Sequence, residues 1–158
     1  MMKPRVYVET SVISYLTARA SKDPIVFAHQ QMTQNWWVNA AQHYDLFASQ
    51  YVLDEASQGN SDAAKARLLA LDNLAMLATT ALDETIANAL LDAKALPMNA
   101  RFDALHIGVS AANGMDILLT WNYRHLANFE QLKLVENTCL SLGFEPPRIL
   151  TIPQLTET

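Results

Sequence analysis

The 158-residue chain has a single cysteine, Cys139. That excludes an intrachain disulfide and any zinc site built on several thiolates. Cys139 lies in an apolar helical run and reads as a core thiol rather than a nucleophile. Glycine is also scarce, with four residues, and no Gly-rich loop follows the first β-rich run, which argues against a dinucleotide-binding Rossmann domain. Positive charge is in deficit: 11 Lys and Arg stand against 16 Asp and Glu, for a net charge of −5. Nonspecific binding of nucleic acid through a broad basic face is therefore disfavoured. A nucleic-acid enzyme is still compatible, because a metal ion at an acidic site supplies positive charge locally, and a basic partner would suit the acidic surface. No window approaches the roughly 20 apolar residues of a membrane span. Lys3 and Arg5 are followed by Glu9 and polar residues instead of a long apolar stretch, so no signal peptide is expected. A reducing cytoplasm fits this pattern. There is no internal repeat, low-complexity tract or linker.

What is present is apolar material for a core: 51% of residues are hydrophobic and 17% charged. This balance is the opposite of disorder, and the length suggests one domain spanning residues 1–158. Residues 5–8 (RVYV) read as a first strand. Thr10 and Ser11 offer a helix start, and Asp23-Pro24 offers a stronger one, with Asp as N-cap and Pro in the first turn. The second helix is expected to run to about His43. Strands are expected at residues 44–49, 73–79 and 116–120, with a short one possible at 148–151. Helices are expected between them, through about Ser57, from a Ser61 cap, over residues 82–95, over 99–112 up to Gly114, and over 129–142 up to Gly143. Strands alternating with helices imply an α/β fold, with a central mostly parallel sheet and helices on both sides.

On that plan three acids meet. Sites in open α/β sheets form beyond the carboxyl ends of the strands. Glu9 ends strand 1 there, and Glu55 lies in the helix leaving the second strand. Asp103 opens a helix that runs back before the fourth strand, and Asn122 emerges from that strand's far end. Like-charged carboxylates held together repel unless a cation neutralises them. A carboxylate cage of this kind suits Mg²⁺ or Mn²⁺, which can lower the pKa of bound water and stabilise charge during phosphodiester hydrolysis. Asp116 begins the fourth strand and is carried roughly 15 Å away by strand rise, so it is left out. His106 lies three residues after Asp103 on the same helix face and is expected to support the site. Arg101, Arg124 and His125 read as solvated residues with a possible contact to RNA. Adjacent Trp36 and Trp37 cannot both face the core from one helix.

The segments YVETSVISYL, VLDEAS, RFDALHIGVSAANGMDILLTWN and ILTIPQL together resemble the PIN domain family, and within it the toxin-type ribonucleases of VapBC toxin–antitoxin modules. The resemblance covers essentially the whole chain. It implies a three-layer α/β/α sandwich and Mg²⁺- or Mn²⁺-dependent cleavage of RNA by a metal-activated water. It also implies a small antitoxin as partner, and many such proteins form homodimers. Carried over by position, Glu9, Glu55, Asp103 and Asn122 match the four acidic positions of the family. The first three would be the metal ligands, and Ser11 matches the hydroxyl residue that supports the first. The chain departs from the pattern twice. The family usually has Asp where Glu9 stands and often Asp where Asn122 stands. These departures motivate an alternative, a catalytically weak or inactive PIN-fold module that binds RNA or protein. A phosphatase using an aspartyl nucleophile fits less well, since the first strand ends in Glu9 and no DxD follows.

Overall fold

A computed structural model describes residues 2–122 and 129–157. Five parallel strands form one sheet in the order β3-β2-β1-β4-β5. They are β1 (Arg5–Val8), β2 (Asp45–Ala48), β3 (Ala75–Met76), β4 (Ile117–Leu119) and β5 (Arg148–Leu150). Every residue from Val6 to Val8 and from Ile117 to Leu119 is buried, as expected of strands covered by helices on both faces. Tyr7 pairs with Phe47 on one side and Leu118 on the other. Chain order runs outward from β1 to β3 on one side and through β4 to β5 on the other. The reversal falls between β1 and β4, where open α/β sheets place their ligands.

The helices are α1 (Thr10–Thr17), α2 (Pro24–Asn39), α3 (Gln50–Ala56), α4 (Ser61–Leu71), α5 (Ala81–Asp92), α6 (Arg101–Ala112), α7 (Phe129–Ser141) and α8 (Ile152–Thr156). One group packs around α1, which contacts α2, α3 and α4. The other packs around α5, which contacts α6 and α7. With the sheet these make three layers. Among the described residues, no helix is long and apolar enough to cross a membrane.

Local chemistry accounts for most of the boundaries. Asp23 caps α2 by accepting from the backbone N–H groups of Ile25 and Val26, with Pro24 in the first turn. Thr80 and Asp83 form a reciprocal capping box on α5. Gly114 ends α6 at φ +66°, a conformation that favours glycine. Several boundaries differ from the sequence expectation. The second helix stops at Asn39 and a 3-10 turn over Ala41–His43 follows; no Gly or Pro marks that change. The third strand shrinks from the expected 73–79 to Ala75–Met76, because an edge strand with one neighbour needs few ladder bonds. Asn60, not Ser61, caps α4, accepting from Asp62 and Ala63. Trp36 is buried and Trp37 half-buried, which resolves the tryptophan pair as a core residue and a flanking one.

Candidate metal centre

Glu9 is the first residue past β1, and its backbone N–H donates to Leu119 of β4 at 3.0 Å, so the β1–β4 ladder itself fixes its position. It occupies the N-cap of α1 but caps nothing with its side chain. Its Oε1 instead accepts from Ser11 Oγ at 2.5 Å and from Thr120 Oγ1 at 2.7 Å. Ser11 Oγ also accepts from the Trp121 backbone N–H at 2.9 Å, and Thr120 Oγ1 from that of Asn122 at 3.0 Å. The hydroxyls of α1 and of the β4 exit thus lock a buried carboxylate between the two central strands.

Glu55 approaches from α3 and is half-buried. Its Oε1 accepts from Thr10 Oγ1 at 2.7 Å and lies 2.6 Å from His106 Nε2. Burial opposes the charge on Glu55, but the His106 hydrogen bond, the charge of that imidazole and the Thr10 hydroxyl outweigh it and hold the carboxyl below its ordinary value. The ionised carboxylate can only accept, so His106 Nε2 carries the proton. Burial also disfavours an imidazolium at His106, yet the Glu55 hydrogen bond and the nearby Glu9, Glu55 and Asp103 carboxylates raise its pKa.

Asp103 lies in the first turn of α6, half-buried, and its Oδ2 accepts from Asn122 Nδ2 at 2.8 Å. The Asn122 side chain at the β4 exit is therefore joined to the third acid. Asp116 sits at the opposite edge, accepting from the backbone N–H of Arg5 at 2.8 Å. Arg101 is exposed and engaged with Glu84 and Asn88, while Arg124 and His125 lie outside the described residues.

Glu9, Glu55 and His106 each offer one ligand atom, and these atoms lie within 4.8 Å of one another. Two features of the donor set fit a hard divalent cation. Each glutamate engages the protein through Oε1, and among the described residues neither Oε2 has a hydrogen-bond partner. Nor does any described Lys or Arg form an ion pair with Glu9 or Glu55. Two carboxylates are thus brought together with one oxygen each uncommitted, and among the described residues the His106 imidazole is the one ion-pair partner of either. His106 is geometrically close, but its two ring nitrogens are occupied by Tyr7 and Glu55, and a hard cation prefers oxygen. Its chemistry suits a place beside the two carboxylates.

Sequence reasoning missed four participants: Thr10, Thr120, Tyr7 and Ser49. Thr10 read as a helix start, and Tyr7, Ser49 and Thr120 as strand residues. The only signal was that Thr10 adjoins Glu9, and that Thr120 precedes Asn122 by two residues.

Five parallel strands with helices on both faces make a three-layer α/β/α sandwich, with Glu9 leaving β1 beside β4. Solved structures bear out this fold. The chain is similar to VapBC2 from Rickettsia felis, crystallised bound to a DNA fragment from its promoter. That match has a TM-score of 0.60 and 15% identity, and covers 93% of this chain and 98% of that one. It is similar also to VapC20 of Mycobacterium tuberculosis, a toxin that cleaves the sarcin–ricin loop, with a TM-score of 0.54, 17% identity and coverage of 90% and 99%. No family model matches the sequence, and no curated protein matches it.

Proposed function

We propose that this protein is a Mg²⁺- or Mn²⁺-dependent endoribonuclease, the toxin of a type II toxin–antitoxin pair. The observation that carries the reading is the convergence of Glu9 and Glu55 from two strand exits, each with one carboxylate oxygen left uncommitted. Glu9, Glu55 and Asp103 hold the cation, and Asn122 orients Asp103 through its amide. Ser11 and Thr120 fix Glu9; Thr10 and His106 fix Glu55. A bound divalent cation supplies Lewis-acid chemistry, neutralising phosphate charge and making water acidic enough to attack. The substrate is RNA, drawn to an acidic protein through that cation. The regulator is a small antitoxin whose basic or apolar segment covers the cleft, and the toxin acts in the cytoplasm, as a homodimer or as a single chain.

One observation favours a second reading. Asp103 is bridged by a neutral amide from Asn122, where a fourth carboxylate would add charge for the cation. That substitution suits a weak nuclease or a PIN-fold binding module. Purified protein, free of any partner, incubated with RNA in Mn²⁺ or Mg²⁺ separates the two. Cleavage that stops in EDTA and is lost in Asp103→Asn, with the melting temperature of the metal-free variant nearly unchanged, is the expected result. Absence of cleavage in either ion would leave the binding module standing, and a wild-type rate in Asp103→Asn would remove that residue from the site.

A further inference from the structure

Beneath Glu55 lies a chain of polar side chains in the middle of the core. Ser49, Tyr7 and His106 are buried to 0%, 0% and 1% exposure. They come from the N-cap of α3, from β1 and from α6. Ser49 Oγ lies 2.8 Å from the Tyr7 hydroxyl, which lies 2.6 Å from His106 Nδ1. His106 Nε2 then reaches Glu55 Oε1 at 2.6 Å. Ser49 Oγ also accepts from the Tyr51 backbone N–H at 3.2 Å, capping the helix that carries Glu55.

Buried polar groups are costly unless each is bonded, and β1 is otherwise valine and arginine. Phe at position 7 would fill the same space without needing partners. A connected polar chain in this place therefore has a use, and it ends on a single atom, Glu55 Oε1. Glu55 stands one residue from the end of the seven-residue α3, where a long side chain has most freedom. Two donors from different elements, Thr10 of α1 and His106 of α6, converge on that one oxygen. They set both the rotamer and the plane of the carboxylate.

We propose that Ser49, Tyr7 and His106 form a positioning chain that presents the second oxygen of Glu55 to the divalent cation. This rests on the metal-site reading above. His106 and Tyr7 are positioning residues, acting through Glu55 by sparing it the ordering cost of binding.

The test is calorimetric titration of Mn²⁺ into the full chain, alongside metal-free melting curves. His106→Asn keeps a polar group toward Tyr7 but cannot reach Glu55, and Mn²⁺ affinity falls by about tenfold to a hundredfold. His106→Gln places an amide near the Nε2 position and restores most of the affinity. Tyr7→Phe, nearly isosteric, weakens Mn²⁺ binding severalfold, and supplies the answer should His106→Asn fail to fold. Because Tyr7 acts through His106, adding Tyr7→Phe to His106→Asn weakens binding no further. Wild-type Mn²⁺ affinity in Tyr7→Phe and His106→Asn would overturn the positioning chain alone. So would equal losses in His106→Asn and His106→Gln. A wild-type protein that binds no Mn²⁺ would overturn the metal site as well.

Discussion

At the scale of single residues, Asp83 offers a test of the core that is independent of the metal. It is completely buried in the first turn of α5. Its Oδ2 accepts from the Thr80 backbone N–H at 3.0 Å and the Tyr51 hydroxyl at 3.1 Å, while Oδ1 is buried without a partner among the described residues. The Tyr51 phenol is pushed up to about 12, by burial first and then by the Asp83 charge, so it donates at neutral pH. Burial raises the Asp83 pKa; Glu84 adds to the shift, and the Thr80 and Tyr51 bonds only partly oppose it. The fold therefore favours the protonated carboxyl. Its stabilising contribution is full below the ordinary carboxylate value and is lost as pH rises through the raised one. The melting temperature of Asp83→Asn should gain on that of the wild type between pH ~4 and pH ~7. A gap between the two that stays constant across that range would contradict the assignment. Glu9 and Glu55, which the structure brings together, were legible in the sequence because each follows a strand exit. The hydroxyls and Tyr7 were not, since a side chain's partner across 42 or 99 positions leaves no local trace.

At the scale of elements, α5 and α6 pack closely at Gly108. A Cβ added at Gly108 would sit 2.4 Å from the Asp83 carbonyl oxygen, a backbone atom that cannot turn aside. Gly108→Ala must push the helices apart. Because α6 carries Asp103 and His106, the same shift would disturb the candidate site. Overpacking of this kind costs about 1–3 kcal/mol, which lowers the melting temperature by roughly 2–12 °C in a domain of this size. Differential scanning calorimetry checks this, and an unchanged transition would mean that the helices have slack. The sequence pattern predicted the five strands and the helices up to Ser141, because apolar β-rich runs and capping residues are local signals, and it missed the short α8. It overran α2 by several residues and β3 at both ends. In α2 the chain leaves the helix at Ala40 with no breaking residue to announce it. In β3 the limit is set by a single neighbouring strand, which is a property of the sheet.

At the scale of the whole molecule, Glu9 and Glu55 are close because of topology. The order β3-β2-β1-β4-β5 makes β1 and β4 neighbours, and their exits deliver Glu9 and Asn122. The exit of β2, next to β1, feeds α3 and delivers Glu55. This arrangement was legible in outline, since alternating strands and helices imply a parallel sheet, but the strand order was not, because nothing local reports which strands pair. The hydroxyl and imidazole contacts then decide which carboxylate oxygens remain for a cation, and the net charge of −5 adds a long-range attraction for it. The central claim is that Glu9, Glu55 and Asp103 share one divalent ion. Its most direct test is a crystal of the partner-free protein soaked in Mn²⁺ and measured for anomalous scattering. The predicted result is a peak bounded by the Oε2 atoms of Glu9 and Glu55 and by Asp103, with the nearest carboxylate oxygens at about 2.0–2.3 Å. A well-occupied Mn²⁺ elsewhere, with these three carboxylates left bare, would contradict it.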